Sequence, residues 1–201
     1  VTRHAGFGER GQIGQEGRTL LAGDVILLGI ERDVEAGFEE VGHLLLAHVH
    51  RHHPPELAQR LRVTHTMLVP VQYQRLMDFP DFDRYDLSSF QAKFCTSAPF
   101  RAELKRDVLQ RWPGGLVEFY GMTEGGGSCI LEAHVYRDKL HTVGRPGPGA
   151  DIRFIDEQGR ELPPGEQGEI VGRSAGMMSG YHRLPDKTQE AEWFDAQGLR
   201  F

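Results

Sequence analysis

Gly115-Leu116-Val117-Glu118-Phe119-Tyr120-Gly121-Met122-Thr123-Glu124-Gly125-Gly126-Gly127 passes from an apolar run, through an aromatic, a glycine and a hydroxyl–carboxylate pair, into consecutive glycines. Its first half has the aromatic and β-branched character of a strand, and glycines do not prolong one. A strand over 116–120 is therefore predicted to open into a glycine-rich loop. Upstream, 101–111 places Leu104, Val108 and Leu109 on one side of a helix. Before it come a strand at 93–96, a helix at 71–77, a β-branched strand at 63–69 closed by Pro70, and a short helix at 56–61 opened by Pro55. This alternation predicts an α/β fold, a parallel-type sheet with flanking helices and right-handed crossovers. Ligands of such sheets sit beyond the carboxyl ends of the strands, which singles out Thr96-Ser97-Ala98-Pro99 and 120–127.

The texture changes beyond Gly144. Ile152 and Phe154 alternate with Arg153, Asp156-Glu157-Gln158-Gly159 reads as a turn, and Gly168-Glu169-Ile170-Val171-Gly172-Arg173 reads as a further strand. An α/β subdomain over 57–147 is thus expected to give way to a β-rich, partial-barrel subdomain over 148–201, with a brief helix near 185–192. In the N-terminal segment, 1–56, residues 1–17 lack periodicity and read as loop. Residues 25–30 read as a buried strand, and 33–50 as a helix bearing Val34, Phe38, Val41, Leu45 and Val49.

A net charge of −6 argues against a nucleic-acid partner, whose phosphates demand basic contacts. The longest apolar stretch, 20–30, contains Asp24 and is too short to span a bilayer. No secretory-type leader opens the chain, so a cytoplasmic location is expected. Cys95 and Cys129 are the only cysteines, lack C-x-x-C spacing, and read as reduced small hydrophobes.

Tyr120-Gly121-Met122-Thr123-Glu124 matches a Y-G-x-T-E motif, and Gly168-Glu169-Ile170-Val171-Gly172-Arg173, running on to Met177-Met178-Ser179-Gly180-Tyr181, follows G-E-[LI]-x-x-x-G and its sequel, with Ser174 standing at the motif's last glycine. On this ordered pair the chain resembles the adenylate-forming (AMP-dependent synthetase/ligase) family, most of all its acyl-CoA synthetases, over roughly 57–201. Residues 64–70 resemble the strand before that family's adenine loop. Ser97-Ala98-Pro99 is similar to its G-x-A-P loop, with Ser97 standing for the glycine, and Gly144-Arg145-Pro146 to its V-G-R-P lead.

The resemblance implies a carboxylic acid, ATP and coenzyme A as substrates. A carboxylate attacks the α-phosphorus, pyrophosphate leaves, and a thiol then displaces AMP to give a thioester. It implies that adenine lies between Ser97, Ala98 and Pro99 on one side and the stretch Glu118, Phe119, Tyr120, Gly121, Met122 and Thr123 on the other, with the Tyr120 ring stacked on the base. Thr123 and Glu124 become the catalytic pair, a hydroxyl for a phosphate oxygen and a hard carboxylate for Mg²⁺. Gly125 and Gly126 leave space for an acyl chain or pantetheine arm, or else form a flexible turn with Gly127. Val69 and Tyr73 are further lining positions. Whether the acid is fatty or aromatic stays open.

The family's Ser/Thr/Gly-rich phosphate loop, its R-T-G-D aspartate and its C-terminal lysine domain are not found in the chain, which starts at Val1. An internal fragment with little ligase activity of its own is therefore expected. The alternatives are a truncated non-enzymatic relic with at most weak nucleotide or metal binding, and a peptide-synthetase adenylation domain. His43, His48, His50, His52 and His53 offer either a Zn²⁺ site or a solvated helix end.

Overall fold

Residues 27–30 and 54–201 are described by the structure, a computed structural model. The expected loop at 1–17, the helix at 33–50 and the histidine cluster lie outside the described residues.

Short helices begin where proline presets the backbone. Helix α1 (Pro54–Leu61) carries Glu56 in its first turn and Arg60 in its last, matching the helix dipole at both ends. Arg62 then adopts a left-handed φ of 52°, turning the chain directly into strand β2 (Val63–Leu68). Pro70 opens helix α2 (Pro70–Met77), and the Gln72 side chain reaches back to accept the Val69 N–H at 2.9 Å. Strand β3 (Ala92–Cys95), helix α3 (Ala102–Arg111) and strand β4 (Gly115–Tyr120) complete the alternation.

With β1 (Leu27–Ile30), β5 (Cys129–Glu132) and β6 (Arg145–Pro146), these strands form one six-stranded sheet in sequential order. β2, β3 and β4 are parallel, as their helical crossovers require, with Leu68 opposite Cys95 and Cys95 opposite Glu118. The remaining strands are antiparallel, β1 on β2 at one side and β5 then β6 beyond β4 at the other. Four-residue β5 was not foreseen, because the glycine cluster before it masks its start. A separate hairpin of β7 (Asp151–Ile155) and β8 (Glu169–Arg173) follows, then helix α4 (Pro185–Glu190). Asp156 shapes the chain after β7, its carboxylate accepting the N–H groups of Gln158 and Arg160 while Gly159 takes a φ of 72°.

One face of the sheet carries the core. Val63, Leu68, Cys95, Leu116 and Leu131 pack there with Leu76, Val108 and an aromatic group in which Trp112 meets Phe90 at 4.9 Å and Phe82 at 5.4 Å. Tyr73 belongs to this core. It is fully buried, stacks on Phe100 at 5.1 Å and donates its hydroxyl to the Phe94 carbonyl at 2.8 Å. That corrects its expected place in a pocket wall, since the helix points the ring inward rather than toward the loops.

Helix α3 also departs from its sequence pattern. Its buried side chains are Lys105 and Val108, while Leu104 and Leu109 are half-buried. Apolar periodicity passes over a buried lysine, because its burial is decided by a partner on another element.

Candidate active site

Because β3 and β4 are parallel neighbours, their following loops emerge on the same edge of the sheet. The first, after Cys95, exposes Ser97, Ala98 and Pro99 before the chain dives inward at Phe100. Ser97 holds a φ of 78°, a left-handed conformation that favours glycine, which accounts for the glycine of the matching motif. The second loop exposes the Tyr120 ring, Gly121, Met122 and Thr123. Glu124 is half-buried after a tight turn in which Gly125 N–H reaches the Met122 carbonyl at 3.1 Å. The described geometry thus brings the sequence-selected residues to one edge, with one change of role.

That change concerns Glu118. Its side chain points away from the exposed loops and is 3% exposed, paired with the equally buried Lys105. Desolvation pushes its carboxyl upward, opposed by Lys105 and by the Phe100 N–H. Lys105 Nζ also donates to the carbonyls of Leu140 at 3.0 Å and Thr142 at 2.8 Å. Glu118 therefore joins the base of the 97–100 loop, helix α3 and the strand that ends at Tyr120. Only its backbone is free to face a ligand. Phe119 is half-buried on the opposite face, stacked at 5.9 Å on Phe94.

The glycines are explained by backbone approach. A Cβ at Gly125 would come within 2.3 Å of the Gly176 carbonyl oxygen, and one at Gly126 within 2.9 Å of that of Gly172. Ser174 Oγ donates to the Gly125 carbonyl at 2.5 Å, and Met178 N–H to the Glu124 carbonyl at 2.8 Å. The Tyr181 hydroxyl donates to Glu124 Oε1 at 3.0 Å. Strand β8 and the segment after it thus brace the Thr123–Gly126 loop. Ser174 and Tyr181 had no assigned role in the sequence; Tyr181 closes the matched motif's sequel, but neither contact is signalled locally, since the partners lie 49 and 57 positions away.

Both cysteines are buried. Burial, with Glu118 nearby, pushes the Cys95 thiol up to about 12, so it is inert as a nucleophile at neutral pH. Among the described residues no cluster of three or more His, Cys, Asp or Glu side chains could hold a metal. Hard-oxygen Glu124, with Oε1 occupied by Tyr181, fits instead an ion that takes one protein carboxylate and completes its shell with phosphate and water, as Mg²⁺ does. Among the described residues no helix is long and apolar enough to cross a membrane.

The model of the AMP-binding enzyme family matches residues 42–182. It thus starts earlier than the likeness read from Leu57, taking in the histidine-rich stretch, and stops before Phe201. A feruloyl-CoA synthase of Amycolatopsis sp is 37% identical over 139 residues, which are 66% of this chain and 28% of that protein. The amide bond synthetase McbA of Marinactinospora thermotolerans superposes with a TM-score of 0.61 at 30% identity, covering 73% of this chain and 32% of that one. ATP-bound MatB from Rhodopseudomonas palustris superposes with a TM-score of 0.58 at 29% identity, over 73% and 29% of the two chains. The chain spans under a third of the length of these relatives, and with its Y-G-M-T-E loop, its α/β sheet and its family match, it belongs to the AMP-binding, adenylate-forming enzymes.

Proposed function

We propose that this chain supplies the adenine, α-phosphate and metal-facing part of an ATP-dependent acid–thiol ligase. In this reading Tyr120 stacks on the adenine, whose other face lies over Ser97, Ala98 and Pro99, with backbone groups of Glu118, Phe119, Gly121 and Met122 around its edge. The Thr123 hydroxyl donates to an oxygen of the α-phosphate as the acid's carboxylate attacks phosphorus and pyrophosphate departs. Glu124 would hold Mg²⁺, which when bound neutralises phosphate charge and orients the leaving group. Gly125 and Gly126, kept bare of side chains, border the acyl group. Two anions must meet, so positioning and charge neutralisation, rather than proton transfer, supply the catalysis. The thiol of coenzyme A then attacks the acyl carbon and displaces AMP, giving the thioester.

The observation that carries this reading is the shared edge. Two loops, exposing Ser97-Ala98-Pro99 and Tyr120 to Thr123, leave adjacent parallel strands beside a braced carboxylate. The likeness to a feruloyl-CoA synthase supports an aryl acid and a thiol acceptor, whereas that to an amide bond synthetase supports an amine acceptor for the same adenylate.

Titration with ATP and with AMP tests the nucleotide site. Binding by the protein, weakened in Tyr120→Ala by roughly 5- to 100-fold as expected for one base–aromatic stack, supports it. Binding of neither nucleotide overturns it. Supplying feruloyl and fatty acids with coenzyme A or an amine, and following pyrophosphate and product, then separates the acyl and acceptor classes.

A further inference from the structure

Glu124 is held by more than its own loop. Its main-chain carbonyl accepts the Met178 N–H at 2.8 Å, and the Met178 carbonyl is held by Arg200 Nη2 at 2.7 Å. The Tyr181 N–H donates to Thr188 Oγ1 at 2.9 Å, and Thr188 Oγ1 to the Leu184 carbonyl at 3.1 Å, which fixes the tyrosine at the entrance of helix α4. From that anchored backbone the phenol reaches Glu124 Oε1 at 3.0 Å.

A carboxylate on a surface loop rotates freely about its last torsion, and ordering it opposes metal binding. One hydrogen bond to one oxygen removes that freedom and leaves the second oxygen open. The donor is also neutral. A lysine or arginine in its place would cancel the charge that attracts a cation, whereas a phenol orients the carboxylate and leaves it anionic.

We infer that Tyr181 is a positioning residue for the divalent-ion site, its hydroxyl aiming the Glu124 carboxylate so that Oε2 meets the metal of the metal–ATP substrate. This rests on the reading of Glu124 as the metal-binding group.

The test uses Mn²⁺ as a paramagnetic stand-in, titrated into the protein with saturating ATP, alongside metal-free AMP binding and thermal unfolding. Tyr181→Phe is expected to weaken Mn²⁺ binding by about 3- to 10-fold, the scale of one partly exposed hydrogen bond to a charged group. AMP affinity and the unfolding temperature should stay unchanged, and adding Tyr181→Phe to Glu124→Gln should weaken Mn²⁺ no further. A role confined to packing would lower AMP and Mn²⁺ binding together. Unchanged or tighter Mn²⁺ binding in Tyr181→Phe, or equal loss of AMP binding, overturns the inference. If Glu124→Gln weakens Mn²⁺ binding and Tyr181→Phe does not, only the tyrosine's role falls. If Glu124→Gln has no effect, the metal assignment falls and the inference with it.

Discussion

Ser97 sits where its side chain is least comfortable. At φ 78° an L-residue is strained by roughly 1–2 kcal/mol relative to its ordinary conformations. Ser97→Gly should raise unfolding stability by up to about 1 kcal/mol after the greater flexibility of the unfolded glycine is counted, and Ser97→Val should lower it. Urea unfolding of the two variants reads this directly. Lys93 is a second residue whose setting decides its chemistry. Fully buried, it caps the end of α3 by donating to the carbonyls of Trp112, Pro113 and Gly114 at 2.5–3.1 Å, and burial brings its pKa down to about 7. The folded state therefore releases this proton before the unfolded state does. Between about pH 7 and 10.5 the unfolded chain holds more protons, and stability rises with pH over that window, whereas below it both states are charged. Lys93→Met should cost about 1–3 kcal/mol by leaving the buried Trp112 carbonyl and two part-buried ones without this donor. It should also abolish the part of the pH dependence that wild type shows between neutral and alkaline denaturation curves.

Among elements, the decisive contact is between β8 and the loop after β4. A Cβ at Gly172 would lie 1.7 Å from the Gly126 carbonyl oxygen, too close for any rotamer to relieve. Gly172→Ala should therefore displace the Thr123–Gly126 loop, costing about 1–3 kcal/mol as overpacking does. Nucleotide affinity should fall although no ligand-facing residue has changed, and calorimetric titration beside thermal unfolding would register both effects. Equal affinity and stability in the variant would mean the hairpin does not brace the loop. Strands β4, β7 and β8 were legible to within a few residues because β-branched runs and glycine stops act locally. The brace was not, since Ser174 reads as an ordinary loop residue and Tyr181 only as the end of a motif, until β8 carries them to Gly125 and Glu124.

Across the whole molecule the two faces of the six-stranded sheet differ. The core occupies one face, while His65, Met67, Phe94, Val117 and Phe119 are half-exposed on the other, with Phe94 stacked between His65 at 6.3 Å and Phe119 at 5.9 Å. Parallel strands normally have both faces covered. The 201-residue chain should accordingly bind a hydrophobic dye and self-associate as its concentration rises, with Phe94→Gln reducing the dye signal. A dye-silent, strictly monomeric preparation would contradict that expectation.

The sequence by itself determined the alternation of helices and strands from α1 to β4, the parallel pairing of β2, β3 and β4, and the loop that bears Tyr120, Thr123 and Glu124. Each follows from local composition, and short connections leave few ways to pair the elements. Tertiary structure alone decided that Glu118 turns inward to Lys105, that Tyr73 is core, that the glycines answer to β8, and that Tyr181 holds Glu124. In each case the partner is distant along the chain, and a side chain's role was set by which group the fold placed within hydrogen-bonding or packing reach.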